Sequence, residues 1–146
     1  MLKKKTFLIT GSSSGIGRSV SENLLQNGAK VIGLSRNKSK VEKSKNYFHY
    51  EIDVSDLKKN YNEFINILLK YDKIDGFISN AGNGAFQSLE NFSPLQIDQF
   101  VKLNLTSHII LTRALIPHLK KRKSGNIIFI GSESALNGKK YGSLYS

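Results

Sequence analysis

Apolar runs of strand length alternate with amphipathic helical stretches along all 146 residues, and this alternation restricts the fold more than any other feature. Phe7-Leu8-Ile9, Lys30 to Ser35, Tyr47 to Asp53, Ile74 to Ser79 and Asn126 to Gly131 read as strands. The third is the weakest, because aromatic and polar residues mix along it. Ile16, Val20, Leu24 and Leu25 recur at helical spacing, and Gly28 is a natural stop after Asn27. Leu57, Tyr61, Phe64, Ile65 and Leu68 mark a second helix. The longest begins at Ser93, a good N-cap, with Pro94 suited to the first helical position and Gln96 completing a capping box. Pro117 is expected to kink or end it. Arg36 to Lys45 reads as a loop or one short helix. Strands alternating with helices imply parallel βαβ units with right-handed crossovers. Strands apolar on both faces belong in a sheet covered on both sides. The expected fold is α/β, a Rossmann-like doubly wound parallel sheet in three αβα layers, one domain by length, reaching only as far as a fifth strand.

In such a sheet, ligands bind beyond the C-terminal ends of the strands. The residues at those ends are therefore the candidate site. Thr10-Gly11-Ser12-Ser13-Ser14-Gly15-Ile16-Gly17 follows the first strand and opens the first helix. The first amides of a helix lack intrahelical acceptors and carry partial positive charge, so a phosphate placed there finds donors aimed at it. Glycine lets the backbone approach and permits positive φ. The spacing differs from G-x-G-x-x-G, so the turn alone is either a dinucleotide cradle or an ordinary glycine-rich connection. Ser35-Arg36, Asp53, Asn80-Ala81-Gly82 and Ser132 also follow strand ends, and so converge on the same edge of the sheet.

Composition excludes several classes. There is no cysteine, hence no disulfide, no thiol nucleophile and no Cys-ligated metal, which fits a reducing cytosol. Lys3-Lys4-Lys5 precedes an apolar run far too short for a signal peptide, and nothing approaches the ~20 apolar residues of a membrane span. A soluble, cytoplasmic protein with no membrane partner is expected. The formal charge of +11 invites a nucleic-acid reading. Its lysines, however, are spread over loops and helix ends (Lys38 to Lys45, Lys58-Lys59, Lys120 to Lys123, Lys139-Lys140) with no interleaved aromatic platform. A lysine-rich surface with no nucleic-acid partner is the expectation. His49, His108 and His118 do not form a metal-ligand spacing and read as surface or packing residues; no metal site is expected.

The ordered set of motifs resembles the short-chain dehydrogenase/reductase family, over the N-terminal part of that family's fold. Thr10-Gly11-x-x-x-Gly15-x-Gly17 is similar to the family's cofactor turn, which brings Ser13, Ser14 and Ile16 with it. Asp53-Val54 is similar to the pair that contacts the adenine. Asn80-Ala81-Gly82 matches most of the Asn-Asn-Ala-Gly turn, with Ser79 in place of the first Asn. Asn104 sits where the family keeps the Asn of its proton relay, Ser132 where it keeps the catalytic Ser, and Tyr145 follows at the family's usual separation. Tyr141 and Tyr145 could each be a packing aromatic; the distance from Ser132 selects Tyr145.

The resemblance implies hydride transfer between a nicotinamide and a carbonyl or alcohol substrate. Ser132 would hydrogen-bond the substrate oxygen and Tyr145 would move the proton. The second strand ends Leu34-Ser35-Arg36 without a carboxylate to hold the ribose hydroxyls of NAD. Arg36 suits a 2′-phosphate bidentately and Ser35 can add a hydrogen bond, so NADP(H) is expected over NAD(H). The family's Lys, four residues after the Tyr, would fall beyond Ser146. An N-terminal fragment of a longer enzyme, homo-oligomeric when full length, is therefore expected. The alternatives are a dinucleotide-binding protein without catalysis and, more remotely, a basic nucleic-acid-binding module. The substrate itself is not legible.

Overall fold

The computed structural model describes residues 2–42 and 44–146; Lys43, in the basic run noted above, lies outside them. Five strands form one parallel sheet: β1 (Thr6–Thr10), β2 (Lys30–Ser35), β3 (Tyr47–Glu51), β4 (Gly76–Ser79) and β5 (Asn126–Phe129), in the spatial order β3-β2-β1-β4-β5. Helix α1 (Gly15–Gln26) connects β1 to β2, and α2 (Leu57–Lys70) connects β3 to β4. Between β4 and β5 run α3 (Pro94–Val101) and α4 (Ser107–Arg122), joined by one π-helical turn over Lys102–Thr106. The order reverses at β1, so the switch point lies between β1 and β4, where a doubly wound sheet opens its crevice.

Side-chain alternation along the strands explains the layers. Leu8, Ile32, Leu34 and Phe77 point to one face and pack with Phe64, Ile67 and Leu68 of α2 and Leu111 and Leu115 of α4. Ile9, Val31 and Ile78 point to the other and pack with Leu24 of α1 and with Ala29. Both faces of the central strands are thus buried, as continuous apolar runs require. Edge strand β5 is different: Ile128 and Phe129 remain about half exposed. At the N-terminal strand ends, buried Asp75 accepts from the Thr6 amide (2.9 Å) and faces Lys5, Lys73 and Arg122. Part of the positive charge is therefore gathered around Asp75, at the end of the sheet opposite the candidate site.

The capping box is present: Ser93 Oγ accepts from the Gln96 amide, and Gln96 Oε1 from the Ser93 amide. Two helix expectations need correction. Pro117 does not end α4, which runs on to Arg122. A proline removes the amide that would serve the carbonyl four residues back. Here that residue, Arg113, is exposed, so water can satisfy the carbonyl. The long helix is also not uniformly α-helical, because the π turn around Asn104 inserts extra backbone, a distortion frequent at functional sites. Residues 36–42 and 44–45 form loop rather than helix.

Candidate functional site

A cavity of about 740 Å³ opens at the C-terminal strand ends, over the switch point. Its size falls within the usual range for small-molecule and cofactor sites. The glycine turn forms one wall. Gly11 and Gly15 both have positive φ, +68° and +52°, the backbone region glycine adopts without strain. Gly11, Ser13, Ser14, Gly15 and Ile16 all line the cavity. Ser14 is the N-cap of α1, yet its hydroxyl makes no capping bond, and the first turn carries no acidic side chain. The uncapped helix start therefore faces open space, and a Cβ at Gly15 would meet no atom within 4 Å. These are the features an anionic pyrophosphate needs.

Thr10 and Gly17 do not line the cavity; they hold its wall from behind. Thr10 Oγ1 accepts from the amides of Asn80 and Ala81, both at 2.9 Å, and Asn80 Nδ2 donates back to the Thr10 carbonyl at 3.0 Å. This reciprocal lock joins the turn after β1 to the turn after β4. Gly17 lies under it: an added Cβ would stand 2.5 Å from Asn80 Nδ2 and closer still to the Gly11 carbonyl oxygen. Buried Ser12 is held by a bond from its amide to the Leu34 carbonyl.

The far wall comes from β2 and β3. Ser35, Arg36, Asp53 and Val54 all line the cavity. Ser35 Oγ donates to the Asn37 carbonyl (2.8 Å) and lies 2.7 Å from His49 Nε2, which must then be the donor. With that hydroxyl proton engaged, Ser35 has no donor left for the cavity. Arg36 is exposed and has no carboxylate partner among the described residues. Asp53 Oδ1 accepts from the amide and hydroxyl of Ser55, at 2.9 and 2.6 Å, which aims the carboxylate and leaves Oδ2 without a partner among the described residues.

Toward β5, the turn Asn80-Ala81-Gly82 continues into Asn83 and faces the helices. Asn104 is not solvent-directed: Oδ1 accepts from the Asn83 amide (3.0 Å), and Nδ2 donates to Asn83 Oδ1 and the Phe100 carbonyl. Gly82 gives it room, since a Cβ there would stand 2.7 Å from Asn104 Oδ1. Ser132 lines the cavity and also accepts the Ser134 amide, capping a short 3-10 turn. Its O–H has no acceptor among the described residues, so it is free to donate into the cavity. Tyr145 lines the cavity too, its ring edge-on to Phe86 and Phe100. Tyr141 instead is half exposed, with φ of +61° and Lys140 over its ring. The segment around Tyr145 is turn rather than helix.

Of the three histidines, His108 is a packing residue that also forms cavity wall, and its ring bridges Ser79 Oγ (2.6 Å) and the Ala81 carbonyl (2.7 Å). Burial is the main influence on it and lowers its pKa; the Ala81 bond opposes this. A signal was present in the sequence: His108 lies one helical turn after Asn104, on the same face. His118 accepts from the Ile74 amide at the opposite end of the sheet.

The short chain dehydrogenase family model matches residues 5–146. The chain is 30% identical over 144 residues to the 3-oxoacyl-(acyl-carrier-protein) reductase FabG of Buchnera aphidicola, a match covering 95% of this chain and 59% of that protein. It is 32% identical over 146 residues to the short chain dehydrogenase ausX of Emericella nidulans, covering 97% and 74%. Among solved structures, the 3-ketoacyl-(acyl-carrier-protein) reductase of Brucella melitensis complexed with NADH superposes with a TM-score of 0.90 at 28% identity, covering 99% of this chain and 64% of that one. ElxO with NADP bound superposes at 0.84 and 27% identity, covering 97% and 61%. The chain thus spans about three-fifths of the first of these relatives. Sheet order, glycine turn and motif order agree with a match along nearly the whole chain: it belongs to the short-chain dehydrogenase family.

Proposed function

We propose that these residues form the cofactor-binding domain, and part of the catalytic centre, of a cytoplasmic NADP(H)-dependent oxidoreductase acting on a small carbonyl or alcohol substrate. The observation that carries this reading is convergence. Residues as far apart as Gly11, Arg36, Asp53, Asn80, Ser132 and Tyr145 line one cavity over the switch point. The relatives' longer chains support a domain that works as the N-terminal part of a larger enzyme, for which a homo-oligomeric assembly is part of the proposal.

The glycine turn, Gly11 to Gly17, holds the pyrophosphate, with Ser13, Ser14, Gly15 and Ile16 in contact and Thr10 and Gly17 shaping the turn. Asp53 and Val54 hold the adenine. Arg36 holds the 2′-phosphate, which favours NADP(H) over NAD(H), and Ser35 fixes the strand end from which it projects. Asn80, Ala81 and Gly82 line the nicotinamide side. When bound, the nicotinamide supplies or accepts the hydride. Ser132 donates its free O–H to the substrate oxygen, stabilising the charge that develops there. Tyr145 gives that oxygen a proton in reduction and removes one in oxidation. Asn104 keeps the Asn83 loop against the cavity.

Comparative titration of the complete polypeptide with NADPH and NADH tests the reading. NADPH is expected to bind about tenfold or more tightly, the worth of one charge-assisted contact of about 1.5–3 kcal/mol. Arg36→Asp should erase or invert that preference. Equal affinities, or an unchanged preference in the variant, would remove the NADP(H) assignment. Binding without turnover would assign the chain to the non-catalytic reading.

A further inference from the structure

We propose that His108 is a positioning residue for the cofactor-facing turn, acting together with Ser79; the inference rests on the cofactor reading above. The Ala81 carbonyl can only accept, so the His108 nitrogen 2.7 Å away, Nε2, carries the hydrogen. In the neutral ring Nδ1 is then an acceptor, and Ser79 Oγ, 2.6 Å away, donates to it. Ser79 is fully buried, and no other bond to its hydroxyl occurs among the described residues. A directed chain results: Ser79 O–H to His108 Nδ1, then His108 Nε2–H to Ala81 C=O. Each bond polarises the next in a partly dry environment. Phe129 of β5 lies beside the imidazole, with ring centroids 6.3 Å apart.

The chain matters because of what it grips. The Ala81 amide donates to Thr10 Oγ1 at 2.9 Å while its carbonyl accepts from His108. Ala81 is thus pinned from β1 on one side and from α4 on the other. One turn earlier on the long helix, Asn104 holds the Asn83 amide. Ala81 and Gly82, which form cavity wall between these clamps, have little freedom to move. Ser79 stands where the family's turn begins with Asn, and in this chain its bracing is completed by a histidine from the neighbouring helix. The pair sets the position of the wall against which the nicotinamide half of the cofactor lies.

The test compares His108→Phe, His108→Gln and a same-helix control, Ser107→Ala, in the full-length protein. Ser107 is buried but bonds only the Leu103 carbonyl, so its variant reports helix destabilisation alone. Three measurements are made: the ¹⁵N imidazole tautomer of the wild type, amide hydrogen exchange at Ala81 and Asn83, and NADPH affinity. The expected tautomer has Nε2 protonated and Nδ1 bare. His108→Phe should speed exchange at both amides and weaken NADPH about tenfold, the consequence of leaving the partly buried Ala81 carbonyl without its donor. His108→Gln, whose amide can still donate to Ala81, should recover part of both, and Ser107→Ala should change neither. An Nδ1-protonated ring, or a His108→Phe protein no different at the turn from Ser107→Ala, would overturn the inference. If the wild type fails to bind any nicotinamide cofactor, the functional reading falls, while tautomer and exchange still decide the role of His108.

Discussion

Replacing Gly17 by alanine should destabilise the protein, although glycine-to-alanine inside a helix ordinarily stabilises by about 1 kcal/mol. The sign is reversed by the lock beneath the glycine turn. The new Cβ would stand 2.5 Å from Asn80 Nδ2 and 2.9 Å from the Gly11 carbonyl carbon, with the Gly11 oxygen nearer still. Relief requires moving the Gly11 backbone or breaking the bond from Asn80 Nδ2 to the Thr10 carbonyl. Overpacking of this kind costs about 1–3 kcal/mol, and the lost hydrogen bond about 1 more. Against the propensity gain, a net loss of about 1–3 kcal/mol remains, or roughly 3–10 °C in Tm for a chain of this size. Gly15→Ala is the matched control. Its Cβ meets nothing within 4 Å, so only the strain of positive φ is added, about 1–2 kcal/mol. Its methyl projects into the space assigned to the pyrophosphate, so its main effect should be on NADPH affinity. Thermal unfolding and cofactor titration of both variants decide the matter. A Gly17→Ala protein that melts at or above wild type would refute the packing argument.

Thr10→Val keeps the shape of the side chain but removes the acceptor for two amides; it should cost at least about 2 kcal/mol in denaturant unfolding, with Thr10→Ser restoring most of it. Tyr145→Phe in the complete polypeptide should lower kcat by about 10²–10⁴ while NADPH affinity stays at the wild-type value, as loss of a proton donor requires. Burial lowers the pKa of His49, His108 and His118, partly opposed at His49 by Glu51, at His108 by Ala81 and at His118 by Asp72. Below the unfolded value of about 6.5 the unfolded chain takes up protons that the native histidines resist, so stability should fall as pH drops from 7 toward 5. Burial alone would raise the pKa of Asp75, but the Thr6 amide, Lys5 and Lys73 outweigh it and hold the carboxyl low; its contribution should be lost only at more acid pH, below about 3.9.

Most of the architecture is legible in the residues because local and global signals agree. The apolar runs that end at Thr10, Ser35 and Ser79 are strands, and the glycine turn, Arg36, Asp53 and Asn80 meet because parallel connections bring their ends to one edge. What the chain hides are relations between distant residues. Thr10 and Gly17 read as parts of a phosphate loop, but their work is to hold that loop against Asn80, which lies in another βα unit. His108 reads only as a surface or packing residue because its partners, Ser79 and Ala81, are more than 25 positions away. Ser35 reads as a free hydroxyl because its partner, His49, lies on the neighbouring strand. Pro117 reads as a kink or a helix end because the exposure of Arg113, whose carbonyl loses its intrahelical donor, is a tertiary fact. The π turn around Asn104 spans five residues, too short a stretch for a period of its own to show in the sequence.

The proposed nicotinamide dinucleotide lies across the switch point, with its pyrophosphate on the turn from Gly11 to Gly17. Residue-resolved amide hydrogen exchange of the full-length protein, with and without NADPH, tests this most directly. New protection is expected from Gly11 to Gly17, at Arg36 and from Asn80 to Asn83, with no change at the lysine-lined hollow near Lys4, Lys30 and Lys73. Protection confined to that hollow, with the glycine turn unaltered, would contradict it.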